Sequence, residues 1–231
     1  MILLDIDDTL VDHSTAERTG AELFGAHFAA SIPAYDEVLF ASRWHRALER
    51  HYAAFLMGEI SFQEQRRRRL RDIFRNEDMP DSKADELFNV YLRFYEDSWQ
   101  LFPDVLPFLE ANREHGFGVI SDGAHEQQMQ KLRNQGIDGY MQFVITAESV
   151  GLCKPDPRMF HRACEVAGAA PATMCYIGDN LKKDALGATA AGLRGIWLNR
   201  NSAPVPEGVE SITSLKEYTP NKSFKRTAPA P

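Results

Sequence analysis

Four short stretches of this 231-residue chain carry residue types able to do chemistry together. Asp5-Ile6-Asp7-Asp8-Thr9 puts three carboxylates and a hydroxyl within one turn's length of chain. Ser121-Asp122-Gly123 adds a second hydroxyl, Lys154-Pro155 an ammonium, and the run from Gly178 to Asp184 two more acids, Asp179 and Asp184. Each stretch lies at or after the end of an apolar run of strand length, over 2–6, 117–120, 142–146 and 174–177. In an open α/β sheet, ligands bind at the carboxyl ends of the strands, so all four are expected at one edge. Carboxylates in this number suit a hard cation held through oxygen, and an ammonium with a hydroxyl suits an anionic group. Asp-rich loops after strands are often only turn chemistry, and Ser121 doubles as a helix cap. What sets these stretches apart is their order, each behind its own predicted strand.

The elements that position them follow from the pattern. The run over 2–6 starts almost at the first residue and reads as a buried strand. From Ser14 to about Gln100 the texture is helical. Ser14-Thr15-Ala16-Glu17 and Ser61-Phe62-Gln63-Glu64 fit capping boxes. Pro33 opens a helix that runs through Trp44 and Tyr52 and stops near Gly58. A fourth helix spans 83–99, with Leu87, Val90, Tyr91 and Tyr95 on one face. Beyond Pro103, helices over 105–114, 126–135, 157–167 and 184–191 alternate with strands, the last over 195–198. Such alternation predicts a parallel sheet covered by helices on both faces. The expected fold is therefore α/β. A Rossmann-like core of 1–12 and 103–218 is interrupted by an all-helical insertion over 13–102 and followed by a disordered tail over 219–231.

In order and spacing, the four stretches resemble the signature of the haloacid dehalogenase-like superfamily, and the resemblance covers the α/β portion from end to end. Asp5, Asp7 and Thr9 match the first motif, Ser121 the second, Lys154 the third, and Asp179 with Asp184 the fourth. The resemblance implies a magnesium-dependent phosphatase with an aspartyl-phosphate intermediate. Asp5 is then the nucleophile, and Asp7 the acid to the leaving oxygen and the base to the attacking water. Mg2+ is then held by the carboxylates of Asp5 and Asp179, by the backbone carbonyl of Asp7, and by Asp184 mostly through water. Thr9, Ser121, Asp122 (through nearby backbone N–H) and Lys154 are then the phosphate-binding residues. Asp7 weighs against dehalogenation, because halide departs without a proton. A phosphomutase, a dehalogenase and a binding protein without turnover are the alternatives. Two positions depart from the family pattern: Asp122 and Lys183, each often Asn in relatives. An added carboxylate at 122 weakens phosphate binding unless it turns away or meets a cation.

The insertion resembles the family's helical C1 cap, which closes over the active site and selects substrate. Arg43, Trp44, His45, Glu49, Tyr52 and Phe55 are candidates to face that cleft, with Trp44, His45 and Tyr52 as substrate contacts. Aromatic residues at helical spacing more often form bundle core, so both roles stand open for Trp44, Tyr52 and Phe55. Trp197-Leu198-Asn199 followed by Pro206-Glu207-Gly208 resembles pyrimidine-preferring 5′-nucleotidases, which points to a nucleoside 5′-monophosphate among small phosphorylated metabolites. Arg66 to Arg69 with Arg71 wind around a helix and read as a solvated face. A net charge of −7 and a pI of about 5.5 argue against a nucleic-acid polymer as partner. No apolar run reaches bilayer-spanning length. Three cysteines in no metal-ligand spacing read as free thiols, with the cytoplasm as compartment. Monomer and homodimer fit the sequence equally.

Overall fold

The computed structural model describes residues 1–220, so the tail expected over 219–231 lies outside the described residues from 221 onward. The chain divides into two compact units, Met1–Asp12 with Gln100–Pro231, and His13–Trp99. Among the described residues no helix is long and apolar enough to cross a membrane. Cys153, Cys164 and Cys175 are free thiols.

The second unit is built from α1 (His13–His27), α2 (Phe40–Leu56), α3 (Phe62–Phe74) and α4 (Asp81–Asp97). Helix α1 packs on α2 and α4, and α3 packs on the same two. Their shared interior is aromatic: Phe24, Phe40, Trp44, Phe88 and Tyr91 are all buried. The Trp44 ring lies 4.2 Å from Tyr91 and 5.2 Å from Phe24 between centroids. Ser61 caps α3 as expected, its Oγ accepting from the Glu64 N–H at 3.1 Å. Two helix starts differ from expectation. Helix α1 opens at His13, with Ser14 already inside its first turn, and the Glu17 carboxylate meets His45 Nδ1 at 3.1 Å. Helix α2 opens at Phe40, not Pro33. Ala34 breaks the path with a left-handed φ of 51°, and Asp36 Oδ1 accepts from the N–H groups of Val38 and Leu39, both at 3.0 Å, starting the turn there. The arginine run is a solvated face only at Arg68. Arg67 forks onto Asp85 and reaches Asp81, Arg71 binds Asp81 and the Met79 carbonyl, and Arg69 is buried over the Trp44 and Phe88 rings.

The first unit is a six-stranded sheet. Its strands are β1 (Ile2–Leu4), β2 (Phe117–Ser121), β3 (Met141–Thr146), β4 (Cys175–Gly178), β5 (Arg194–Leu198) and β6 (Glu210–Ile212). All pair in parallel, in the order β3-β2-β1-β4-β5-β6. Helices α5 (Val105–Ala111), α6 (His125–Asn134), α7 (Ala147–Val150), α8 (Pro157–Ala167) and α9 (Gly187–Ala190) cover it. A strand flanked on both edges and covered on both faces must be apolar throughout, and Ile2, Leu3 and Leu4 are fully buried. The helix expected over 184–191 is instead a π-helical turn, Leu181–Leu186, leading into α9. Strand β6 was not expected, since Glu210-Ser211-Ile212 holds a single apolar residue and so no strand pattern. Strands β2 and β3 build outward on one side of β1, and β4 to β6 on the other. That reversal is the switch point at which open α/β sheets bind ligands, and it sets the residues following β1 and β4 side by side.

Candidate active site

Asp5 is the first residue past β1, held in register by its N–H donating to the Ile177 carbonyl at 3.0 Å. The chain then turns tightly. The Leu10 and Val11 N–H groups both donate to the Ile6 carbonyl at 2.9 and 3.0 Å, and Asp8 takes a left-handed φ of 56°. Asp179 is the first residue past β4. Asn180 caps the π-helical turn, its Oδ1 accepting from the Lys182 and Lys183 N–H groups at 3.1 and 3.0 Å. This turn brings Asp184 back, and its Oδ2 accepts from the Asn180 N–H at 2.9 Å. Gly178 makes the return possible, because a Cβ there would lie 2.4 Å from the Asp184 carboxyl carbon. Lys154 enters from the loop beyond α7. Its ammonium sits 2.7 Å from Asp5 Oδ1, 2.7 Å from Asp184 Oδ1 and 2.9 Å from the Tyr176 hydroxyl. An ammonium has three hydrogens, and each has a partner here.

The carboxylates of Asp5, Asp179 and Asp184 each place an oxygen within 4.8 Å of the others. Burial pushes the Asp5 carboxyl well above its ordinary range; Lys154 pulls it down, and Asp184, Asp179 and Asp7 push it up again. Burial, then Asp184 and Asp8, raise the Asp179 carboxyl to about 7. Burial favours the neutral form of Lys154, but Asp184 and Asp5 outweigh it and hold the ammonium well above its usual pKa. Three acids thus share one ammonium in a largely buried site, and an additional cation would relieve their repulsion.

The expected site residues divide. Asp5, Lys154, Asp179 and Asp184 come together as described. Ser121 is buried, and its Oγ accepts from the Gly123 N–H at 3.2 Å and from Gln128 Nε2 at 2.9 Å. With both lone pairs used, its one hydrogen is left to donate. Asp7 stands nearby with its carboxylate bound by Gln128 and Lys131. Thr9 is fully buried, and its hydroxyl accepts from the Asp179 N–H at 3.0 Å, clamping the first loop to the fourth. The Asp122 carboxylate is engaged by the chain itself: Oδ1 accepts from the Lys154 N–H at 2.8 Å and Oδ2 pairs with Lys183 at 3.3 Å. The two departures from the family pattern therefore meet each other as an ion pair, and the added acid finds its cation. Trp44 is buried among the rings of the helical core rather than presented at its surface. His45 is 55% exposed and pairs with Glu17 and Glu49, while the half-buried Tyr52 has its ring 5.6 Å from Phe55.

Sequence reasoning passed over Tyr176, Gln128 and Lys131. Tyr176 is fully buried, and its hydroxyl donates to the Ile120 carbonyl at 2.9 Å while accepting from Lys154. Its signal was a hydroxyl inside an otherwise apolar strand. Gln128 and Lys131 carried the signal of i, i+3 spacing on one face of the helix after Ser121.

A family model described as haloacid dehalogenase-like hydrolase matches residues 1–192. A phosphoserine phosphatase from Thermus thermophilus is 29% identical over 225 residues, covering 88% of this chain and 90% of its own. The pyrimidine 5′-nucleotidase YjjG of Escherichia coli is 32% identical over 120 residues, 50% of this chain and 53% of its own. Among solved structures, a 2-haloacid dehalogenase from Pseudomonas syringae is similar with a TM-score of 0.69 at 27% identity, over 93% of this chain and 94% of that one.

Proposed function

The chain belongs to the haloacid dehalogenase-like hydrolases, and from that premise we propose that it is a phosphomonoesterase acting through a phosphorylated Asp5. One observation carries the reading: the Lys154 ammonium lies 2.7 Å from both Asp5 and Asp184, in a group of three carboxylates completed by Asp179. The donor set fits Mg2+. Mg2+ is a hard cation that prefers oxygen ligands, and the three carboxylates each bring an oxygen within 4.8 Å of the others. Asp5, Asp179 and Asp184 would hold the ion, with the backbone carbonyl of Asp7. When bound, it offsets the charge of the phosphoryl oxygens facing Asp5.

The chain's own groups supply the rest. Lys154 engages Asp5 Oδ1, which leaves Oδ2 to attack phosphorus. As the bond from phosphorus to the leaving oxygen breaks, Asp7 gives that oxygen a proton. Ser121 donates its remaining hydrogen to a phosphoryl oxygen. Water then attacks the phosphoaspartate, Asp7 takes its proton, and phosphate leaves with Asp5 restored. The dehalogenase relative keeps halide release as a second reading, but a proton carrier two residues past the nucleophile has no use there.

Nucleoside 5′-monophosphates are the substrate class we put first, supported by the nucleotidase match and by the Trp197-Leu198-Asn199 stretch. The phosphoserine phosphatase match puts phosphorylated amino acids second. The test is phosphate release from a metabolite panel with Mg2+, with Asp5→Asn beside the wild type. Turnover of a phosphomonoester by the wild type and none by the variant is expected. Equal turnover by both, or halide from a 2-haloacid with no phosphate from the panel, ends the proposal.

A further inference from the structure

We propose that Gln128 and Lys131 are positioning residues for proton transfer, fixing the Asp7 carboxylate by its two oxygens. The inference rests on the reading of Asp7 as proton carrier given above. Both residues project from one face of α6, the helix that follows the Ser121 strand end. Each is 1% exposed, and a lysine is almost never buried so completely without a charged partner. Gln128 Nε2 donates to Asp7 Oδ2 at 2.7 Å and to Ser121 Oγ at 2.9 Å. Its own carbonyl oxygen is buried and finds no partner among the described residues, so the amide is aimed for what its nitrogen does. Lys131 forms an ion pair with the other Asp7 oxygen. Gly123 opens the way, because a Cβ there would lie 2.1 Å from Gln128 Nε2.

One amide therefore spans the proposed acid and the hydroxyl proposed to bind phosphate, and one ammonium faces the acid's second oxygen. A carboxylate offers about four lone-pair sites, so two such bonds fix its plane and leave lone pairs for a proton. In the first step the proton passes from Asp7 to the leaving oxygen as that oxygen's bond to phosphorus breaks. The charge left on Asp7 then lies against Lys131 and Gln128, which stabilise it. In the second step the same carboxylate accepts a proton from the water attacking phosphorus, while the bond from phosphorus to Asp5 breaks. Neither positioning residue exchanges an atom.

A structural ion pair and a positioning one differ in how they treat leaving groups. 4-Nitrophenolate departs without a proton, whereas the alkoxide of β-glycerol phosphate needs one. We compare kcat/KM for the two phosphates in the full chain with Mg2+. In Asp7→Asn the alkyl-to-aryl ratio is expected to fall about 10²-fold or more, the scale of general acid catalysis. In Lys131→Met and in Gln128→Leu it falls by up to about 10²-fold, the scale of a misplaced catalytic group. A ratio unchanged in both, with folding verified by circular dichroism and Asp7→Asn behaving as expected, overturns the inference. Should one variant fail to fold, the other decides alone. If Asp7→Asn itself shows no change in ratio, the reading of Asp7 falls and takes this inference with it.

Discussion

Lys154 in the sheet unit and Arg69 in the helical unit are buried alike, at 5% and 4% exposure, in unlike surroundings. Lys154 is wedged between Asp5 and Asp184, and these carboxylates hold its proton against the pull of burial. Among the described residues, Arg69 has no carboxylate within hydrogen-bonding distance. It reaches the Gln65 side chain at 2.8 Å and lies over the rings of Trp44 and Phe88 at 5.5 and 5.2 Å, and burial brings its pKa down to about 10. The guanidinium is packing material that tolerates a dry aromatic setting, being planar and weakly hydrated. The ammonium instead belongs to a charge cluster that a fold seeking only stability would avoid. Burial alone does not mark a functional group; burial among unbalanced like charges does.

Removing the ammonium tests this most severely. Lys154→Met leaves the buried Asp5 and Asp184 facing each other, and breaking a buried pair costs about 3–5 kcal/mol. Urea unfolding without metal is expected to show that loss, and phosphate release is expected to vanish. Near-wild-type stability in the variant would erase the contrast between the two units. A smaller effect comes from the metal. Mg2+ at a hundred times its Kd should stabilise the wild type by about 2.7 kcal/mol, read as a rise in thermal midpoint that Asp179→Asn largely abolishes. The same rise in that variant would place the ion elsewhere. Smaller again is Arg69→Met, a change of similar volume that keeps the aromatic contacts and is expected to cost less than about 1.5 kcal/mol. A loss as large as that of Lys154→Met would make Arg69 more than packing.

The sequence was most legible where chemistry and strand ends coincide. Asp5, Lys154, Asp179 and Asp184 each sit at or beyond an apolar run, so a one-dimensional pattern already assigns them to one edge of a parallel sheet. Thr9 and Asp122 lie in the same motifs yet bind backbone and a neighbouring lysine. Motif membership cannot separate a side chain that faces a ligand from one that fixes the loop carrying it. Trp44 shows the same limit in a helix: periodicity put it on the apolar face, and only packing shows that this face is interior. Lys131 was hidden because a lysine on an amphipathic helix reads as solvated, and its partner Asp7 is 124 residues away. Helix α2 begins later than Pro33 suggests because the Asp36 carboxylate turns the chain just ahead of it.

The smallest effect concerns a second buried carboxylate of the sheet unit, one that is balanced. Asp104 accepts from Arg200 at 3.0 Å through both oxygens, from the Ser214 hydroxyl at 2.7 Å and from the Leu215 N–H at 2.9 Å. Arg200 in turn donates to the Thr9 carbonyl at 2.8 Å, so the node ties the first motif to the chain beyond the last strand. Burial alone would raise the Asp104 carboxyl, but the bonds from Arg200, Ser214 and Leu215 outweigh it and hold it below its ordinary 3.8. A depressed folded-state pKa gives stability that is complete above the unfolded value and is lost as pH falls through the folded one. The difference in unfolding free energy between wild type and Asp104→Asn should therefore stay constant above about pH 5 and shrink below about pH 4. Urea midpoints across that window measure it. A difference that stays flat into acid would mean that Asp104 is bound no better as an ion than as an amide. The contrast between a balanced carboxylate at this node and the unbalanced ones around Lys154 would then lose its physical basis.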